Sequence, residues 1–178
     1  MNTQDCALVV IDIQGRLAEL MDGKDALIQN LERLIQGVNT LHIPIVWMEQ
    51  NPTRMGPTIG PLKGLLAPLT PIPKLAFSCC GEPAFMDRIH AIGRRHLLLA
   101  GIEAHVCVYQ TACDLLRAGY SVSIVADGVS SRTADNRQIG LAAAHDAGAR
   151  ITSVEMALFE LLKTAGAPEF KTILNLVK

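Results

Sequence analysis

A cysteine, Cys107, stands in GIEAHVC, where an apolar run, HLLLAG (96–101), gives way to a helical pattern. A thiol in the first turn of a helix meets the positive end of the macrodipole and unpaired backbone N–H groups, and both favour thiolate. A carboxylate within hydrogen-bond reach takes the proton from such a thiol and hands it on, and a nearby ammonium stabilises the sulfur anion. Two residues distant in sequence are placed to supply these groups. Asp12 closes the apolar run ALVVIDIQ (7–14), and Lys74 sits late in a proline-rich stretch. The three compose a nucleophile, a base and a cation, which are the parts of a covalent hydrolytic site. His105, two residues before Cys107, is a rival base in a Cys-His dyad. Gln14, Glu49 and Gln50 are candidates for substrate contact, and hydrogen bonding to loop backbone accounts for all three equally well.

Each of these residues also has a plainer reading. A cysteine in an α/β core is usually a small hydrophobe, and an aspartate ending a strand commonly caps a neighbouring helix. A lone lysine is ordinarily a solvated surface group. The remaining thiols, Cys6, Cys79, Cys80 and Cys113, have no electropositive setting in the sequence and read as packing residues. No CxxC pair occurs, the five histidines lack ligand spacing, and no G-x-G-x-x-G follows the first strand, so neither a metal nor a dinucleotide cofactor is expected.

The elements that must position these residues alternate along the chain. Residues 7–14 are apolar and β-branched throughout, as in a strand buried on both faces. Leu27, Leu31, Leu34, Ile35, Val38 and Leu41 recur at helical spacing, and PIVWM (44–48) returns as a second strand. From Glu49 to Gly81 lie six of the nine prolines and four glycines. That composition excludes a long helix or a central strand, and an ordered excursion of such length is expected to wall a pocket. Beyond it come a helix over 82–93, a strand over 96–101, a helix stopped by Gly119, and a strand over 121–127. A helix over 133–147 interrupted by Gly140, a short strand in ARITS, a helix capped by Ser153 and a last one from Pro168 complete the chain. Strands alternating with helices predict one α/β domain over residues 1–178, a three-layer α/β/α sandwich around a mostly parallel, Rossmann-like sheet.

Composition narrows the function classes. The hydrophobic fraction is 49% with 4% aromatic residues, which fits an aliphatic core between sheet and helices. Lys and Arg total 16 against 17 Asp and Glu, a net charge of -1 without long runs of one sign, so nothing favours nucleic acid or an anionic bilayer. An odd cysteine count and an N-terminus without a basic-then-apolar leader lead us to expect reduced thiols and a soluble cytoplasmic protein.

VVIDIQGRL, MEQNP with GPTIGPL, PKLAFSCCGEP, LLLAGIEAHVCVYQTACDLLRAGY and VADGVSSR, in that order, resemble the isochorismatase-like cysteine hydrolases, and closely the isochorismatase domain-containing proteins. The resemblance implies an Asp, Lys, Cys triad at Asp12, Lys74 and Cys107. It also implies a non-proline cis peptide between Ile102 and Glu103, with the N–H groups of Glu103 and Cys107 forming an oxyanion hole. Metal-dependent relatives carry an Asp-x-His pair after the second strand. Met48, Glu49 and Gln50 stand there instead, which argues against a catalytic metal. A nucleophilic cysteine likewise argues against cleavage of the isochorismate vinyl ether. The expected activity is hydrolysis of a small amide, imide or ester by a homo-oligomer. The rival readings are a thiol redox sensor or partner-binding relative, and an isochorismate hydrolase.

Overall fold

Alternate residues of the first apolar run enter two different cores, and this sets the architecture, described over residues 1–178 in a computed structural model. In β1 (Cys6–Ile11), Cys6, Leu8 and Val10 pack on one face while Ala7, Val9 and Ile11 pack on the other. Strand side chains alternate with a period of two, so a run apolar at every position must be covered on both sides.

The chain continues through α1 (Gly15–Glu19), α2 (Lys24–Thr40), β2 (Ile45–Gln50), α3 (Pro52–Met55), α4 (Gly60–Leu66) and β3 (Ile72–Lys74). A 3-10 turn (Cys79–Gly81) leads into α5 (Pro83–Ile92) and β4 (His96–Ile102). A π-helical turn (Ala104–Val108) then runs directly into α6 (Tyr109–Arg117). The rest is β5 (Ser121–Ser130), α7 (Ala134–Asp146), β6 (Arg150–Thr152), α8 (Val154–Leu162) and α9 (Phe170–Val177). All strand pairs are parallel, and the sheet order is β3-β2-β1-β4-β5-β6. On one side, α2, α4, α8 and α9 contribute Leu31, Leu34, Leu62, Leu158 and Ile173 to a core. On the other, α5, α6 and α7 contribute Phe85, Ile89, Ala112, Leu115 and Ala144. The result is the three-layer sandwich that the alternation of elements predicts. No helix is long and apolar enough to cross a membrane.

The proline-rich stretch holds more structure than its composition suggests. Besides two short helices it supplies a sixth strand, β3, with Pro73 opposite Glu49 of β2. A proline fits there because β3 is an edge strand whose outer N–H groups face no neighbour. Two further boundaries differ from the sequence reading. β5 extends to Ser130, three residues past the expected end, and the last helix begins at Phe170 rather than Pro168. Between β1 and β4 the backbones approach so closely that only glycine fits at position 101. A Cβ on Gly101 (φ +128°) would lie 2.1 Å from the carbonyl oxygen of Ile11.

Candidate active site

From β1 the chain moves outward to β2 and β3, then returns to β4 on the opposite side of β1. This reversal makes a topological switch point at the carboxyl ends of β1 and β4, and open parallel sheets bind ligands in the crevice beside such a point. Asp12 follows β1 and Cys107 lies just beyond β4, so the topology brings the carboxylate and the thiol to the same crevice edge. Asp12 adopts a left-handed backbone (φ 56°), which an aspartate tolerates better than a β-branched residue would. Lys74 reaches the crevice from the end of β3, on the far side of β2.

The ammonium of Lys74 donates to Oδ2 of Asp12 at 2.7 Å, and both side chains are buried. It also donates to Oε1 of Gln50 (2.6 Å) and to the carbonyls of Phe77 (3.0 Å) and Ala76 (3.3 Å). Burial acts to lower the Lys74 pKa. The carboxylate of Asp12 is the largest opposing influence, and the group stays above its ordinary value as a cation. For Asp12 burial dominates and raises the pKa, against the Lys74 ammonium, which pulls it down. A carboxylate so poised is a stronger base than one in water. Its second oxygen, Oδ1, is buried without a hydrogen-bond partner.

Cys107 sits in the π-helical turn with 7% of its surface exposed. Single π turns recur at functional sites. Its thiol couples to both Asp12 and Lys74. The expectation of a resting thiolate is corrected here. Burial, followed by the Asp12 charge, pushes the thiol up to about 12, while Lys74 acts in the opposite direction. The helix start is real, but the loss of water around the sulfur is the larger effect. At rest the site therefore holds a neutral thiol beside an ion pair.

The turn carrying Cys107 is held from two sides. The Ile102–Glu103 peptide is cis. Oε2 of Glu103 accepts from the backbone N–H (3.0 Å) and Nε (3.1 Å) of Arg132. His105 uses Nδ1 to bond the Ser131 hydroxyl at 3.0 Å, which ties it to the loop after β5. Gly140 lets α7 lie directly on the turn, since a Cβ there would stand 2.6 Å from the backbone of His105. The break in helical periodicity at Gly140 was the visible signal of this approach.

Of the three substrate-contact candidates, Gln14 and Glu49 bond to the neighbouring loop. Gln14 is fully buried and bonded to backbone: Nε2 donates to the carbonyls of Gly56 (2.7 Å) and Gln50 (3.1 Å), and Oε1 accepts from the Gln50 N–H (2.6 Å). Oε1 of Glu49 accepts from the N–H (2.7 Å) and hydroxyl (2.8 Å) of Thr58, whose hydroxyl also accepts from Trp47 Nε1. Both are loop supports, because the proline-rich segment offers backbone donors and acceptors that nothing else satisfies. Gln50 does reach the site, but it contacts Lys74. Missed by sequence reasoning was Thr111, one turn after Cys107, whose buried hydroxyl accepts from the Cys79 N–H at 2.9 Å. A cavity lined by Asp22, Leu27, Asn30, Asp127 and Arg137 contains none of the three central residues. A buried ion pair beside a thiol is the stronger chemical marker of function.

The model of the isochorismatase domain matches residues 6–156. The chain belongs to the isochorismatase family. Its members here include a secreted isochorismatase effector, Isc1, of Phytophthora sojae, 37% identical over 175 residues (96% of this chain, 83% of that protein). Isochorismatase domain-containing protein 1 of Danio rerio is 35% identical over 167 residues, and the match covers 94% of this chain but 59% of that longer protein. Among solved structures, the MAR1 ribonuclease of Caenorhabditis elegans superposes with a TM-score of 0.93 at 36% identity, covering 99% of this chain and 91% of that one. This isochorismatase-family chain is thus a hydrolase in its coarse class.

Proposed function

We propose that this isochorismatase-family chain is a cysteine hydrolase of small amides, imides or esters, with Asp12, Lys74 and Cys107 as its catalytic triad. One observation carries the reading: a buried Lys74–Asp12 ion pair at 2.7 Å lies against the Cys107 thiol and acts on it with both of its charges.

In the proposed cycle the Cys107 proton passes to Asp12 as sulfur bonds to the substrate carbonyl carbon. A thiol held near 12 supplies little free thiolate, so proton transfer accompanies attack instead of preceding it. Lys74 offsets the negative charge moving between oxygen and sulfur. The N–H groups of Glu103 and Cys107 receive the developing oxyanion. Asp12 then returns the proton to the departing amine or alcohol, leaving a Cys107 thioester. Water attacks the thioester with Asp12 as base, and the acid leaves with Cys107 reprotonated. The ammonium of Lys74 meets the need for a positive charge, so the cycle calls for no cofactor.

The relative named as a ribonuclease favours RNA as a second substrate class. The small-molecule reading is better supported, since Cys107 is 7% exposed and the net charge of -1 gives no attraction to a phosphate backbone. The family resemblance further leads us to infer a homo-oligomer in solution, testable by light scattering.

The test is turnover of a panel of amides, imides, esters, isochorismate and short RNA by wild type and Cys107→Ala. The proposal expects hydrolysis of at least one acyl substrate and its loss in the variant. RNA cleavage retained by Cys107→Ala, or peroxide-driven oxidation of Cys107 with no turnover of any substrate, refutes it.

A further inference from the structure

Gln50 is the one side chain outside the triad that hydrogen-bonds Lys74. Neighbouring strands lie about 4.8 Å apart, so β3 is about 10 Å from β1. Lys74 must therefore cross the end of β2 to reach Asp12, and Gln50 is its register partner there. The amide can face only one way. An ammonium only donates, so the atom meeting Nζ at 2.6 Å is Oε1, and Nε2 donates to the carbonyl of Leu75 at 2.8 Å. Gln50 is itself anchored through its backbone, whose N–H donates to fully buried Gln14. Both ends of its amide are thus engaged within the protein, which fixes its orientation toward Lys74.

We propose that Gln50 is the positioning residue of Lys74, and that its neutrality is the functional property: it holds the ammonium without neutralising it, leaving the charge to act on Asp12 and Cys107. This rests on the triad reading above. Of the four acceptors around Nζ, Asp12 alone is charged, while Gln50, Ala76 and Phe77 offer neutral oxygens. The other titratable groups facing the ammonium are the thiols of Cys79 and Cys107. Cys79 is fully buried, with its thiol pushed well above its ordinary value by burial, so it adds no charge near neutral pH. A carboxylate at position 50 would be of nearly the same shape, would compete with Asp12 for the same protons, and would leave the site one charge more negative. Both effects oppose formation of a thiolate at Cys107.

The test is the rate of iodoacetamide labelling of Cys107 in the protein between pH 7 and 10, read by mass spectrometry of its peptide. Gln50→Glu is expected to label about tenfold more slowly than wild type at each pH, one unit of thiol pKa being tenfold in thiolate. Gln50→Met, which removes the acceptor and adds no charge, is expected to be slowed less. A purely structural role predicts the opposite sign, because loosening the site exposes the thiol and speeds labelling in both variants. Equal slowing of both variants also overturns the proposal, since neutrality would then not matter. If Gln50→Glu matches wild type while Lys74→Met is slowed, the Gln50 assignment fails and the triad stands. If Lys74→Met is unchanged as well, the triad reading itself fails.

Discussion

Adding one methyl group at Gly140 should disable the site from the back of the turn that carries Cys107. In Gly140→Ala the new Cβ would stand 2.6 Å from Cα and N of His105 and 2.7 Å from the carbonyl carbon of Ala104. Ordinary contact begins at 3.4 Å, so 0.8 Å (3.4 minus 2.6) must be found. All three opposing atoms are backbone, and no side-chain rotation can supply it. Overpacking of this kind costs about 1–3 kcal/mol. The better helix propensity of alanine returns about 1 kcal/mol, so the net loss of stability is about 0–2 kcal/mol. The effect on chemistry is larger, because Cys107 moves with the turn and a misplacement of about 1 Å at a reacting group costs about 100-fold in rate. Urea unfolding and turnover of the substrate identified from the panel measure the two effects separately. A variant stabilised by about 1 kcal/mol with wild-type turnover, as for a glycine in an open helix, would refute the reasoning.

Two further perturbations test the surroundings. Gln14→Ala strips three backbone groups of their partners and should destabilise the protein by about 3 kcal/mol in urea unfolding, with faster proteolytic cleavage within residues 51–73. Stability should also fall as pH rises above about 9. Burial holds the Cys6 thiol up to about 12 from 9.0, so above pH 9 the unfolded chain loses a proton that the folded one keeps. Each such thiol contributes a slope of about -1.4 kcal/mol per pH unit until its folded pKa is reached. Cys6→Ala should make the measured slope of unfolding free energy against pH shallower by that amount between pH 9.5 and 11.

Much of the fold was legible because its signals are local. The unbroken apolar run of β1, the helical spacing of Leu27 to Val38 and the glycine stop after α6 each follow from one stretch of chain. Asp12 and Cys107 were legible as chemistry because each follows an apolar strand, and parallel sheets gather such ends. Lys74 was not legible by this route, since it lies in a proline-rich segment whose three-residue strand is visible only once β2 is there to pair with it. The acidity of Cys107 was misjudged for a related reason. Sequence reveals a helix start, whereas the desolvation that pushes the thiol up comes from elements remote in the chain. Gln14 and Glu49 were polar and near strand ends, but their partners, Gly56 and Thr58, sit in a loop whose path no periodicity describes.

An ammonium and a carboxylate act in opposite senses on one buried thiol, Cys107. Labelling of Cys107 by iodoacetamide at pH 8.5 in Lys74→Met and Asp12→Asn measures this without a substrate. Loss of the cation should raise the thiol pKa and slow labelling, and loss of the carboxylate charge should lower it and speed labelling, each by about tenfold or more. Two variants that shift the rate in the same direction, or leave it unchanged, would contradict the account.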